Sequence, residues 1–149
     1  MSTVTRYFEA LAQRDWAGMA ACYSDHAHFS DPVFPDLDAT GVRAMWKMLL
    51  TSGTDLRVTY RVLDESETRA KGEWQADYTF SRTGRNVRNI ISSEFELRDG
   101  LIVRQCDHFD FWRWSRQALG VPGLLLGWTS LVQNKVQRTA HTTLDRSMR

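Results

Sequence analysis

The sequence predicts an α+β fold in which helices come first and pack on a mainly antiparallel sheet, and three observations carry that prediction. Apolar residues near the start recur at helical spacing. The middle of the chain alternates apolar and polar residues over long stretches, and Asp99-Gly100 falls between two such stretches as a hairpin signal.

Val4, Tyr7, Phe8 and Leu11 stand at i, i+3, i+4 and i+7, one face of a helix that Ser2 or Thr3 can cap. Asp15 restarts a short helix through Ala20, Ala21 and Tyr23. From His26 to Asp31 the period becomes two, with Ala27, Phe29 and Asp31 on one face and His26, His28 and Ser30 on the other, until Pro32 and Pro35 end the strand. Thr40 and Gly41 open a third helix carrying Val42, Met45, Trp46 and Leu49. Leu56, Val58, Tyr60 and Val62 alternate with polar neighbours, as do Trp74, Ala76, Tyr78 and Phe80. Gly84 marks a hairpin loop over 81–85, and 94–97 and 101–103 flank Asp99-Gly100. Three hairpin-linked strands are therefore expected after three helices. Pro122 and Gly123 punctuate the chain after Trp114, and a last amphipathic helix sets Leu131, Val132, Lys135, Val136, Ala140 and Leu144 near one face. The expected organisation is one domain over 1–149, with a core over 1–112 and a C-terminal helical extension over 113–149.

Bulk properties narrow the function classes. The 149 residues are 42% hydrophobic and 11% aromatic, six of the rings being Trp, which suits a globular chain with material for an apolar pocket. Nineteen Lys and Arg against eighteen Asp and Glu give a net +1, so the overall balance points to neither nucleic acid nor a membrane as partner. Cys22 and Cys106 are the only cysteines, which fits a reduced interior better than a disulfide framework. Arg6, Glu9, Arg14 and Asp15 interrupt the first residues, unlike a secretory segment, and the longest apolar run, 123–128, is too short to cross a bilayer. A soluble cytoplasmic protein is expected.

Helices, a short strand ending in Asp-Pro, a third helix and then a sheet: over residues 4 to 112 this order resembles the nuclear transport factor two-like superfamily, which includes ketosteroid isomerases, SnoaL-like polyketide cyclases and limonene epoxide hydrolases. The resemblance rests on residues 6–11 (Arg-Tyr-Phe-Glu-Ala-Leu) with Asp15 following, on 29–33 (Phe-Ser-Asp-Pro-Val), and on 100–110, which ends Cys-Asp-His-Phe-Asp. It implies a cone-shaped α+β barrel: three N-terminal helices on a curved, mainly antiparallel sheet. It also implies a homodimer. In the isomerases a helix-one Tyr after an Arg serves as donor to the developing enolate oxygen and an Asp before Pro-Val as general base; Tyr7 and Asp31 match those places. The isomerase's third group, a protonated Asp, falls at about Ser93. Gly100 to Asp110 is similar to the last-strand motif of the epoxide hydrolases and puts Asp107 at a catalytic carboxylate. The Arg and second Asp of that family fall at about Trp74 and Ala76, which argues against epoxide hydrolysis.

Proton abstraction next to a carbonyl needs a base at carbon and a donor where charge grows on oxygen. Asp31 as base, Tyr7 as donor and Asp107 as an auxiliary acid form such a set, and an apolar wall beside Asp31 would raise its pKa. Phe29, Trp46, Trp74, Tyr78, Ser93 and Phe109 are the candidate lining for a small apolar ligand, and the chemistry calls for no cofactor. Each residue has a plainer alternative. Asp31 before Pro32 can be a turn former, Tyr7 a packed ring, and Asp107 a partner of Arg104 or Arg113, with a strand bulge able to reverse its facing. His26, His28 and His108 lack metal-ligand spacing, so no metal is expected. Residues 124–128 fit a pocket lid or, better, a dimer contact. Replacement of the polar groups of two enzyme branches by Ser93, Ala76 and Trp74 keeps open a non-catalytic carrier or dimerisation module.

Overall fold

A computed structural model describes residues 1–52 and 55–149. Side chains set the start of each N-terminal helix. Ser2 Oγ accepts the Thr5 N–H to begin α1 (Thr3–Ala12), and Asp15 Oδ1 accepts the Gly18 N–H at 2.9 Å to begin α2 (Trp16–Ala20). The second helix stops at Ala20. Tyr23, expected to lie on it, instead opens β1 (Tyr23–Ser30), where the alternation holds: Ala27 and Phe29 are buried, His26 and His28 exposed. A two-residue β2 (Leu37–Asp38) comes next, and Asp38 Oδ1 caps α3 (Ala39–Ser52) through Gly41 N–H. Val42, Met45 and Trp46 face inward as expected, but the last inward position is Leu50, leaving Leu49 exposed.

The sheet continues as β3 (Arg57–Glu65), β4 (Arg69–Phe80), β5 (Arg85–Arg98) and β6 (Leu101–His108), a meander of four strands rather than three. Asp99 and Gly100 both take positive φ, 53° and 75°, as the two-residue hairpin between β5 and β6 requires. Among the described residues the sheet has six strands in the order β2-β1-β6-β5-β4-β3, with β1 parallel to β6 and every other pair antiparallel. It is curved and does not close. Register shifts at Val62/Asp64, Glu96/Leu97 and Tyr23/His28 supply local bends.

Helices α1 and α3 fill the hollow of this sheet. Gly72 lets α1 sit so close: a Cβ there would lie 2.5 Å from Cε2 of Phe8. The main core joins α1 and α3 to Ala27, Phe29, Ala70, Ile91, Phe95 and Ile102 of the sheet. A second core of Val87, Phe111, Trp114 and Ala118 forms where α4 (Phe111–Leu119), capped by Asp110, lies on β5. This helix runs across the 112/113 division. Then come α5 (Val121–Leu126) and α6 (Ser130–Ser147). On α6 Leu144 is buried and Val132, Val136 and Ala140 are half-buried, but Leu131 and Lys135 of the expected stripe are exposed. Gln133 and Gln137 tie α6 to the loop after β1, both donating to the Pro32 carbonyl at 3.1 and 3.0 Å. Among the described residues no helix is long and apolar enough to cross a membrane.

Candidate active site

Strand register brings the chemistry-bearing side chains into one row. Phe29 pairs with Gln105, which pairs with Phe95 and that in turn with Ala70; one step further along, Asp107 pairs with Ser93 and Ser93 with Gly72. Two residues beyond Phe29, at the end of β1, stands Asp31. The inward side chains of this row meet the helices α1 and α3.

A buried hydrogen-bond network results. Ser93 Oγ donates to Asp107 Oδ1 at 2.6 Å, and Gln105 Nε2 donates to the same oxygen and to the Tyr7 hydroxyl, both at 2.9 Å. Trp74 Nε1 donates to Ser93 Oγ at 2.9 Å. On the other side of Gln105 its Oε1 accepts from the Tyr23 hydroxyl, which itself accepts from Trp46 Nε1 at 3.0 Å. Tyr7, Tyr23, Ser93 and Gln105 are almost wholly enclosed, and Asp107 is 4% exposed. The ring of Tyr7 stands edge-on to Phe8, Tyr23, Trp46 and Phe95.

Asp31 has a different setting. Its Oδ1 accepts from Val33 N–H at 2.7 Å and Phe34 N–H at 2.6 Å, and its own N–H returns to the Phe34 carbonyl, a side-chain-closed turn. The turn-forming alternative is thus true of Oδ1, and these bonds leave Oδ2 for other use.

The two carboxyls are both displaced upward. Burial raises Asp31 from 3.8 to about 6 against the opposing pull of the two backbone N–H groups. Burial also raises Asp107 from 3.8 to about 7; the bonds from Ser93 and Gln105 oppose the shift, and the charge of Asp31 adds to it. The repulsion falls on Asp107 because Asp31 ionises first. Both carboxyls are thus held closer to protonation than a free Asp, Asp107 more so than Asp31. Burial, with the neighbouring Tyr23 and Asp107, pushes the Tyr7 phenol well above its ordinary value, so it remains a hydrogen-bond donor.

Of the residues singled out in the sequence, Tyr7, Trp46, Trp74, Ser93 and Asp107 belong to one network, and Phe29 packs on Trp46 with ring centroids 6.3 Å apart. Asp107 faces inward and bonds Ser93 and Gln105, not an arginine. Tyr78 and Phe109 stand between the two cores and pack against both, and the Tyr78 hydroxyl accepts from Trp114 Nε1 at 2.8 Å. Sequence reasoning passed over Gln105 and Tyr23. The first was readable, being two residues before Asp107 and so on its face; the second was hidden by its assignment to a helix.

Two surface hollows lie elsewhere. One of about 620 Å³ is lined by Gly84, Arg85, Asn86, Arg113, Arg116 and Gln117, and one of about 1190 Å³ lies between the start of α1 and the β3–β4 and β5–β6 turns. Neither is lined by Tyr7, Asp31 or Asp107.

This architecture, an open curved sheet wrapped on three helices with polar groups in its hollow, is that of the nuclear transport factor two-like proteins. Residues 4–105 match the SnoaL-like domain, and the chain belongs to that family. Solved structures agree on the fold. A candidate polyketide cyclase from Silicibacter sp. TM1040 is 24% identical, with 78% of this chain covering 92% of that one at a TM-score of 0.69. Another from Pseudomonas putida KT2440 is 16% identical, with 79% and 98% covered and a TM-score of 0.68. A candidate ketosteroid isomerase from Kribbella flavida is 20% identical, with 72% and 75% covered and a TM-score of 0.56. No protein of curated function matches the sequence.

Proposed function

We propose that this protein is an acid/base enzyme of the isomerase, cyclase or dehydratase kind, acting on a small apolar carbonyl compound. The observation that carries the reading is the pair of carboxyls in unlike settings, Asp31 at about 6 and Asp107 at about 7. Burial raises both, and the charge of Asp31 raises Asp107 further, so Asp31 is the group that ionises first and serves as base while Asp107 keeps its proton longer and serves as acid. Oδ2 of anionic Asp31 takes the proton from the carbon next to the carbonyl. Neutral Asp107, whose Oδ1 is occupied by Ser93 and Gln105, carries its proton on Oδ2 and donates it toward the oxygen on which charge develops. By the resemblance the isomerases' protonated acid falls at about Ser93, and in this reading its register partner one strand over, Asp107, takes that role. Tyr7 adds a second neutral donor, positioned through Gln105. Asp31 then returns the proton to a different carbon, or the enolate closes a ring. These transfers need only a base and donors, which is why no cofactor is invoked.

The enclosure of the network, with Tyr7, Ser93 and Gln105 buried among packed side chains, favours a second reading, a non-catalytic lipophilic-ligand carrier or dimerisation module of the same fold. Incubation with a panel of apolar ketones in deuterium oxide, followed by proton NMR, separates the two. The enzyme exchanges the α-proton of at least one compound, and Asp31→Asn slows that exchange by about 10²–10⁴-fold. Exchange that is unchanged in Asp31→Asn, with ligand still bound, defeats the catalytic reading.

A further inference from the structure

The segment between α4 and α6, which holds α5, inverts the usual placement of small and large apolar residues. Its small residues face inward: a Cβ at Gly123 would lie 1.9 Å from the Ser115 carbonyl oxygen, and one at Gly127 would lie 1.9 Å from Ser115 Oγ. With the glycine side turned to α4, the large apolar side has only solvent to meet. Leu125 is 62% exposed, Trp128 72% and Leu131 69%, and Val121, Leu124 and Leu126 are exposed as well. A contiguous apolar surface of this kind marks an interaction site.

Cations border this knob. Trp112 extends it, donating from Nε1 to the Leu124 carbonyl at 3.2 Å, and the Arg116 guanidinium lies 4.2 Å over the Trp112 ring. Arg116 shares its polar hollow with Arg85 and Arg113. The net charge of +1 conceals a segregation along the chain. Between Phe111 and Leu144 stand Arg113, Arg116, Lys135 and Arg138 and no Asp or Glu at all, so the other 15 cations face all 18 acids elsewhere.

That charge pattern decides between occupants. Two copies meeting through this face about a twofold axis would each bring the same cation-bearing segment, which has no Asp or Glu between Phe111 and Leu144 to complement the other's charge. An anionic lipid surface supplies the opposite charge around the rim and an apolar layer for the leucines and tryptophan, the requirements of an interfacial anchor. We propose that residues 121–131, with Arg113 and Arg116 beside them, dock this protein on the surface of an anionic phospholipid membrane. Leu124, Leu125, Leu126 and Trp128 enter the boundary between headgroups and acyl chains, and no segment crosses.

Sedimentation of the full chain with vesicles tests this, using phosphatidylcholine alone and an equimolar mixture with phosphatidylglycerol. The protein is expected to pellet with the mixed vesicles at low salt and to be released as salt is raised. Each arginine near the surface is worth about fivefold in partitioning, so Arg113→Gln with Arg116→Gln weakens it by about 25-fold. Leu125→Asp with Trp128→Ser abolishes it at an unchanged circular dichroism spectrum. Lipids brominated on the acyl chain quench tryptophan emission of the unaltered protein, a readout independent of whether any variant folds. The proposal is overturned if the unaltered chain stays in the supernatant at low salt, if the arginine pair leaves binding unchanged, or if Leu125→Asp instead dissociates a dimer in sedimentation equilibrium.

Discussion

Replacing Asp107 by Asn isolates the cost of burying this carboxylate. The neutral acid and the amide present the same Oδ1 to Ser93 and Gln105, so the two side chains differ mainly in whether they ionise. The folded carboxyl titrates at about 7 against 3.8 when free, so the folded protein holds a proton that the unfolded chain has released between those values. Stability from this group is complete below about pH 4 and is lost as the pH rises through about 7. Moving the pKa from 3.8 to about 7 corresponds to about 4 kcal/mol by pH 8. Asp31 acts in the same direction, but it is present in both proteins and largely cancels in their difference. Urea unfolding of the native and Asp107→Asn proteins from pH 4 to pH 8 should show near-equal stability at the acid end. Toward the alkaline end the Asn variant should gain, by an amount on the order of 4 kcal/mol. A difference between the two proteins that stays the same at every pH would refute the reasoning, since it would mean that the Asp107 carboxyl titrates alike in the folded and unfolded chain.

The same geometry sets further expectations. Turnover should rise with pH as Asp31 ionises through about 6 and fall as Asp107 loses its proton through about 7, giving a narrow bell in a stopped-flow or NMR rate profile. Gln105→Leu removes a bond that favours the Asp107 anion, so the alkaline limb should move to higher pH; the stranded Tyr23 and Tyr7 hydroxyls should cost about 1–3 kcal/mol in a urea melt. Gly72→Ala puts a methyl 2.5 Å from the Phe8 ring and should destabilise by about 1–3 kcal/mol, with partial recovery when Phe8→Leu is added. Gln133→Ala with Gln137→Ala frees the Pro32 carbonyl from α6, and hydrogen exchange at the Val33 and Phe34 amides that hold Asp31 should speed up.

Periodicity made most of the architecture legible. Val4, Tyr7, Phe8 and Leu11 are all buried where their spacing put them, and the alternation of 26–30 sorted exposed histidines from buried Ala27 and Phe29. Alternation failed where a strand is irregular. Ile102 and Gln105 are both buried on β6 although an odd interval separates them, because the register shifts opposite Glu96 and Leu97. No single-strand pattern shows such a shift. Tyr23 was missed because the residues between α2 and β1, which include Cys22, are apolar enough to continue a helix. The polar network is a matter of partners across strands: Asp107 was found on its own, but its link to Ser93 exists only through the β5–β6 register. On α6 the apolar stripe promised more cover than the fold gives, since the helix crosses the loop after β1 with Val132, Val136, Ala140 and Leu144 and leaves Leu131 outside.

Carbon-13 NMR of the carboxyl groups, followed from pH 3 to pH 9 with Asp31→Asn and Asp107→Asn as assignments, measures the division of labour on which the proposed chemistry depends. Midpoints near 6 for Asp31 and near 7 for Asp107 are expected, the second falling when Asp31 is replaced. Two carboxyls that both titrate near the 3.8 of a free Asp would contradict it, because both would then be anions at neutral pH and neither could donate.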